Sequence, residues 1–155
     1  MVKRTSVSRV VVRELEIQYE RPSFDAMSKI AESKDCERLF RSVFNPNTLD
    51  LKESFWVALL NRANKVLGVS LVGVGSVSGC TVNLIEIFQL AITTNACGVV
   101  LCHNHPSGNV KPSQADLALT RKIKEGCKLF EIVMLDHIIL TREAYFSFVD
   151  EGVMP

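Results

Sequence analysis

Apolar and polar residues in the first half of the chain follow the patterns of strands and helices in turn. Residues 7–19 are rich in valine and isoleucine and partly alternate with polar residues, which predicts one or two strands. Residues 23–44 carry apolar side chains at three- and four-residue steps, which predicts one or two helices. Two apolar runs, 53–61 and 65–73, are separated by only three residues and therefore predict a hairpin.

The second half alternates between helix and strand around one apolar run. A glycine- and serine-rich loop at residues 73–80 precedes helical spacing at residues 83–95, where Asn83 is placed to cap the helix. Residues 98–102 are uniformly apolar, as is typical of a strand inside a sheet, and they run directly into His103. The remaining predicted elements are a helix from Ser113 to about Cys127 and strand segments at residues 132–135 and 137–140. This order predicts an α/β or α+β domain.

Composition limits the class of protein. The chain has 155 residues, of which 47% are hydrophobic and 23% charged, so it is long and apolar enough for one domain with its own core. Eighteen Lys and Arg against 17 Asp and Glu give a formal net charge of +1. There is no global positive field to recruit nucleic acid or an anionic membrane, and such a partner would need a local basic patch.

Cysteine usage and the N-terminal residues predict a cytoplasmic protein. The five cysteines form an odd set without a CxxC pair, which argues against a disulfide framework or a zinc ribbon. No apolar run approaches the roughly 18 to 20 residues needed to cross a bilayer. The first 20 residues do not resemble a signal peptide, because Arg13, Glu14 and Glu16 interrupt the run after Lys3 and Arg4.

The candidate chemistry lies where the apolar strand ends. His103 and His105 are two residues apart, so on an extended backbone both imidazoles point the same way while Asn104 faces elsewhere. The loop that follows contains Pro, Ser and Gly and is long enough to bring Asp116, in the first turn of the next helix, under both rings. Two neutral imidazoles and a carboxylate leave one tetrahedral position open, which is the arrangement of a catalytic zinc.

Each part of this pattern also has an ordinary explanation. Ser113 and Asp116 are spaced as a helix N-terminal cap with an acid at the third helical position. The two histidines alone could belong to a solvated turn. The conjunction of buried strand, His-x-His, loop, serine and aspartate favours the metal site over these separate explanations.

The run from His103 to Gly108, HNHPSG, together with Ser113 and Asp116, resembles the JAMM (MPN+/JAB) metallopeptidase motif. In that motif a glutamate is followed far downstream by H-x-H, seven residues, serine, two residues and aspartate. The same run, with the later LDHII sequence at residues 135–139, resembles the RadC family of bacterial proteins over roughly residues 47–152.

The resemblance implies a mixed central sheet flanked by helices, in the three-layer arrangement shared by JAMM and cytidine-deaminase-like folds. Residues 46–155 would form the catalytic core, and residues 1–45 a strand-and-helix extension of the same domain. The first 45 residues do not resemble the helix-hairpin-helix module of the longer RadC proteins, so we expect the short form of the family.

The resemblance also implies the site and its chemistry. His103, His105 and Asp116 would bind one Zn²⁺ per chain, and Ser113 would steady the oxyanion of a tetrahedral intermediate. Glu53, at the head of the first hairpin strand, matches the family's glutamate and would be the general base; Glu86, among helical residues, is its competitor. The implied reaction is hydrolysis of a peptide or isopeptide bond with metal-activated water, on a protein or peptide substrate.

Three other functions compete with this one. A zinc deaminase needs H-x-E and P-C-x-x-C, and neither occurs. The family's DNA-repair label suggests a metal-dependent hydrolase or a binding module that acts on DNA or on a DNA-processing partner, but near-zero net charge and few aromatics do not favour it. Retention of all the motif residues argues against a catalytically silent module. The sequence NLIE at residues 83–86 stands where many relatives have Pro-Arg-Glu, so an arginine contact with substrate is not expected there.

Three further residues have two interpretations each. His137 either contacts a metal ligand or the cleft, or is a hydrogen-bonded structural histidine. Cys102 adjoins His103 but should point to the opposite face of the strand and pack in the core. Lys111 either contacts an acidic substrate or is a solvated loop tip.

Overall fold

The structure is a computed structural model that describes residues 18–75 and 81–155. The strands predicted at residues 7–19 lie outside this part of the chain except for Gln18 and Tyr19, which have no regular secondary structure. Most of the loop predicted at residues 73–80 also lies outside it.

A five-stranded mixed sheet forms the centre of the described chain, in the strand order β2-β1-β3-β4-β5. The elements are α1 Ser33–Val43, β1 Ser54–Leu60, β2 Val66–Val74, α2 Leu84–Thr93, β3 Gly98–Asn104, α3 Gln114–Leu129, β4 Val133–Leu140 and β5 Tyr145–Ser147. β3 and β4 are parallel and are joined through α3, whereas the other neighbouring strands are antiparallel. The predicted mixed sheet flanked by helices is therefore confirmed, as are the β1–β2 hairpin and the Asn83 cap of α2.

Helices cover both faces of the sheet, which explains the apolar sequence of β3. All seven residues of β3 are buried. One face packs against α2 and α3 through Ile87 and Ile123, and the other packs against α1 through Cys36 and Phe40. Cys102 lies in the core on the α1 side, as its position in the strand predicted.

The helix prediction for residues 23–44 is too long. Only α1 is helical, and the residues before it run along the end of the hairpin. Ile30 N donates to Asn64 O at 2.9 Å, and Val66 N donates to Ser28 O at 2.9 Å. Because these backbone groups bond to the hairpin, they cannot enter a helical ladder.

The end of the chain also differs from its prediction. Residues 133–140 form one continuous strand rather than two segments, and β5 was not predicted. Asp136 lies within the strand because its carboxylate is satisfied there: it accepts from His137 N at 2.7 Å, Ser147 Oγ at 2.6 Å and Val149 N at 3.1 Å.

Within the described ranges, no helix is both long and apolar enough to span a bilayer.

The sheet register determines where the site forms. Phe55 of β1 pairs with His103 of β3 in antiparallel register, so the residue before β1 lies beside the carboxyl end of β3. α3 begins after the loop that leaves the same end of β3. Three separate parts of the chain therefore meet at one edge of the sheet.

Candidate metal centre

His103 and His105 converge at the carboxyl end of β3. Their Nε2 atoms are 3.0 Å apart, and His103 is fully buried. Asn104, between them, points away, as alternation along a strand predicts. The structure thus places the two imidazoles side by side.

Asn104 has a structural role that sequence reasoning missed. Its side chain donates to Leu49 O at 2.6 Å and to Lys52 O at 2.9 Å, and it accepts from Ser54 N at 2.8 Å. These bonds hold the backbone on both sides of Glu53. A fully buried asparagine in an otherwise apolar strand is the signal that could have identified it, because such a side chain must find partners.

Asp116 lies beneath both rings in the first turn of α3. Its Oδ1 is 3.3 Å from His103 Nε2, and its Oδ2 is 3.5 Å from His105 Nε2. The helix cap is present as well: Ser113 N donates to Asp116 Oδ2 at 2.7 Å, and Asp116 N donates to Ser113 Oγ at 3.1 Å. The cap and the convergence on the histidines are therefore one arrangement, because the cap orients the carboxylate.

The Ser113 hydroxyl is engaged with Asp116. Its Oγ donates to Asp116 Oδ2 at 2.6 Å. Ser113 also lines the cavity at the site, so a substrate oxygen could receive this hydrogen only if the hydroxyl turned away from the carboxylate.

Glu53, directly before β1, completes the cluster. One ligand atom from each of Glu53, His103, His105 and Asp116 lies within 4.8 Å of the others. Burial raises the pKa of Glu53, although the two neighbouring imidazoles act in the opposite direction. Glu86 is in the first turn of α2 and is not part of this cluster.

The hydrogen bond of His105 shows which of its nitrogens faces the cluster as an acceptor. Its Nδ1 is 2.6 Å from Asn109 O, and since a carbonyl can only accept, Nδ1 carries a proton. Nε2 of the neutral ring therefore has a lone pair directed at His103 and Asp116. Such a group of electron-pair donors requires a proton or a cation between them.

The pKa shifts of Asp116 and His105 follow from the close approach of these side chains. Burial alone would raise the pKa of Asp116, but its contacts with His103, His105 and Ser113 outweigh burial and hold that pKa well below its usual range. Burial alone would lower the pKa of His105, but hydrogen bonds to Asp116 and to Asn109 outweigh it and raise that pKa. In the absence of a metal, positive charge is therefore favoured on His105 beside the carboxylate.

The donor set fits zinc. Ligand atoms that bind a tetrahedral zinc at about 2.0–2.1 Å stand roughly 3.3 Å from one another. The two Nε2 atoms are 3.0 Å apart, and each faces its own Asp116 oxygen: His103 Nε2 is 3.3 Å from Oδ1, and His105 Nε2 is 3.5 Å from Oδ2. Imidazole nitrogen and carboxylate oxygen are ligands that zinc takes at catalytic sites.

His137 is fully buried behind His103 and does not line the cavity. Its Nε2 is 2.8 Å from His103 Nδ1, and its Nδ1 is 2.7 Å from Thr120 Oγ1. Burial lowers the pKa of His137 well below the ordinary histidine value, so its ring is neutral. Both interpretations of the residue hold in part, since it contacts a candidate ligand and is hydrogen-bonded in the core.

A cavity of about 600 Å³ opens onto the cluster. Besides Glu53, His105, Ser113 and Asp116, its lining includes Phe55, Val82, Pro106, Ser107, Asn109, Lys111, Pro112, Ala115 and Leu119. The wall is thus partly apolar and partly polar, and Lys111 supplies a cation to it.

The sequence profile of the RadC-like JAB domain family matches residues 30–153, which is most of the chain. The chain belongs to this family. This is the family that the HNHPSG run and its downstream serine and aspartate resemble. The profile also includes α1, which begins before the region of resemblance noted in the sequence.

Three relatives of this RadC-like JAB domain carry the name UPF0758 protein. The UPF0758 protein of Flavobacterium johnsoniae is 37% identical over 148 residues, covering 96% of this chain and 63% of that protein. The UPF0758 protein of Porphyromonas gingivalis is 35% identical over 122 residues, covering 77% of this chain and 53% of that protein. That of Clostridium acetobutylicum is 41% identical over 103 residues, covering 66% and 45% respectively. The chain therefore spans between 45% and 63% of the length of these three relatives.

Proposed function

We propose that this RadC-like domain is a zinc-dependent hydrolase of JAMM type that cleaves a peptide or isopeptide bond. The observation that carries the proposal is the convergence of His103 Nε2, His105 Nε2 and the Asp116 carboxylate at zinc-ligand separations, with Glu53 beside them and a cavity in front. When bound there, a zinc ion lowers the pKa of a coordinated water and polarises a substrate carbonyl.

Glu53 is the proposed general base. Its carboxylate stands within the cluster, where it can take a proton from attacking water and pass that proton to the leaving amine. The pKa of Glu53 is raised by burial, and a base whose pKa is closer to neutrality transfers a proton in both directions more readily.

Ser113 is the proposed donor to the oxygen of the scissile carbonyl. It lies at the cavity wall next to Asp116, and its hydroxyl hydrogen can turn from the carboxylate to a developing oxyanion. Mutation of one donor of this kind typically costs about 3–4 kcal/mol of transition-state stabilisation. The mixed lining of the cavity suits an amide flanked by side chains, with Lys111 available to an acidic one.

The test compares Glu53→Gln with Glu86→Gln in the purified protein. Zinc content is measured first, and hydrolysis of isopeptide-linked and linear peptide substrates is then followed with and without chelator. We expect the wild-type protein and E86Q to bind one zinc and to hydrolyse an amide substrate in a chelator-sensitive way. E53Q should retain zinc but lose hydrolysis.

Two results would contradict the proposal. One is wild-type protein that binds no zinc at micromolar metal. The other is E53Q with the same hydrolysis rate as wild type. A single-stranded DNA substrate is included in parallel, because chelator-sensitive cleavage of DNA without amide hydrolysis would favour the nucleic-acid alternative instead.

A further inference from the structure

We propose that Thr120 and His137 are positioning residues that hold His103 in the one tautomer able to bind a metal through Nε2. The inference deepens the proposed function, since it concerns how the same site is prepared. It rests on a continuous series of hydrogen bonds from Asp116 O through Thr120 and His137 to His103, of which the two that involve His137 are buried.

The direction of this chain is determined at its Thr120 end. Thr120 Oγ1 is 2.5 Å from Asp116 O, and a carbonyl oxygen can only accept. The single hydroxyl hydrogen of Thr120 therefore lies in that contact, because two oxygens without a hydrogen between them would repel at this distance. Towards His137 the Thr120 oxygen can then only accept.

The positions of the ring hydrogens on His137 and His103 follow from this. His137 Nδ1, 2.7 Å from Thr120 Oγ1, must be the donor of that bond. A neutral imidazole has one N–H, so His137 Nε2 is an acceptor, and His103 Nδ1 donates to it across 2.8 Å. His103 Nε2 is left with its lone pair directed at His105 and Asp116. Hydrogen-bond partners within the protein therefore set this tautomer without a metal ion.

The surroundings of His137 leave it little freedom to change partners. Its ring stacks on Phe148 with centroids 4.5 Å apart and meets Phe55 edge-on at 5.5 Å. Thr120 and His137 are both fully buried. A ring held between two aromatic side chains cannot turn to find other acceptors. The series of hydrogen bonds therefore has a fixed geometry as well as a fixed direction of donation.

This series of hydrogen bonds begins at Asp116 and leads back to Asp116. The backbone carbonyl of Asp116 receives the Thr120 hydrogen, while the Asp116 carboxylate faces His103 Nε2 at 3.3 Å. The first turns of α3 thus supply one candidate ligand directly and set the tautomer of another through Thr120. Partners of this type commonly change metal affinity by 10- to 100-fold when they are removed.

The first test is made on the metal-free wild-type protein, where no ion can impose the tautomer. Long-range ¹H–¹⁵N correlation NMR under alkaline conditions, with all rings neutral, distinguishes protonated from unprotonated ring nitrogens. We expect the hydrogen on Nδ1 in both His103 and His137. A hydrogen on His103 Nε2 would overturn the inference without recourse to any variant.

The second test uses Thr120→Val, which nearly preserves volume but removes the acceptor for His137 Nδ1. His137 should then move its hydrogen to Nε2 and donate to His103, which forces the His103 hydrogen onto the metal-facing nitrogen. We expect the tautomer signals of both rings to change and zinc affinity, measured by chelator competition, to fall about 10- to 100-fold. Thr120→Ser keeps the hydroxyl and should restore both.

Thr94→Val is the matched control. Thr94, the C-cap residue that follows α2, makes the same kind of hydroxyl-to-carbonyl bond, to Leu90 O at 2.8 Å, but it lies outside the candidate metal cluster. Unchanged tautomers in T120V, or an equal loss of zinc affinity in T94V, would refute the inference. If the wild-type protein binds no zinc, the proposed function fails, while the NMR measurement on metal-free protein still decides the tautomer.

Discussion

Asp116 shows how one side chain can serve both the helix and the site. Its carboxylate accepts the Ser113 N–H that begins α3, and the same two oxygens face His103 and His105. Capping bonds reduce the freedom of the carboxylate before any ligand arrives. The helix N-terminus also favours a negative charge at this position.

Ser113→Ala should therefore affect stability and metal binding together. We expect the free energy of unfolding to fall by about 1 kcal/mol through loss of the cap. Zinc affinity should fall as well, because Asp116 loses both hydrogen bonds that it makes with the Ser113 hydroxyl. Urea unfolding and chelator competition measure the two effects. The control is Asn83→Ala, which removes the cap of α2, a bond from Ile85 N at 3.1 Å, outside the cluster. Equal loss of zinc affinity in both variants would contradict the coupling.

The raised pKa of His105 predicts that the stability of the metal-free protein depends on pH. Its pKa is raised in the folded state, so its pairing with Asp116 stabilises the fold fully below the unfolded value of 6.5. This stabilisation is lost as the pH rises through the raised pKa. Urea unfolding of wild type and His105→Gln in excess chelator, from pH 6 to 9, should show a stability difference that shrinks with increasing pH. A constant difference would show that the pairing contributes nothing.

At the scale of elements, β3 does more than present the two histidines. Through Asn104 it also holds the segment that precedes β1, with three hydrogen bonds to Leu49, Lys52 and Ser54. Glu53 lies inside this held segment, so the position of the proposed base depends on the same strand that supplies two candidate ligands.

Asn104→Ala should separate catalysis from metal binding. Loss of the three hydrogen bonds of this fully buried residue should lower the free energy of unfolding by roughly 2–4 kcal/mol, at about 1 kcal/mol or slightly more each. We expect kcat to fall more than zinc affinity, because Glu53 loses its support while the ligands stay in place. The control is Asn61→Ala at the other end of β1. This substitution removes the two hydrogen bonds that Asn61 Oδ1 accepts from Ala63 N and Lys65 N in the hairpin turn. A kcat that falls no further in N104A than in N61A would contradict this role.

At the scale of the whole molecule, the site joins parts of the chain that are distant in sequence. Glu53 comes from the start of β1, the histidines from the end of β3, and Asp116 from α3. A cation that binds the two histidines and Asp116 stabilises the folded state alone, because the unfolded chain does not hold these groups together.

Zinc should therefore raise the melting temperature. At free zinc about 100 times the Kd, the gain is roughly 2.7 kcal/mol. For a domain of this size that corresponds to about 5–10 °C in Tm. Thermal unfolding followed by circular dichroism, with added zinc and with chelator, measures the shift. Asp116→Asn should lose most of it, and a shift of equal size in that variant would place the zinc elsewhere.

The local sequence pattern was sufficient to predict several elements of the fold. The β1–β2 hairpin and the Asn83 and Ser113 caps follow from alternation, turn spacing and capping chemistry, which act over a few residues. Residues 28–30 were misassigned because their backbone bonds to the end of the hairpin, about 35 positions away, override the local helical spacing. β5 was missed because three residues are too short to show a period.

The sequence by itself determined the candidate ligands. His-x-His at the end of a buried strand, followed by a capped helix, is a short-range pattern whose chemistry can be inferred from residue type and spacing. Only the tertiary structure decided how Glu53 joins these residues, what Asn104 holds and which tautomer His103 adopts. Those features depend on the register of β1 against β3 and on the packing of His137 against Thr120, contacts between distant residues that no local pattern encodes.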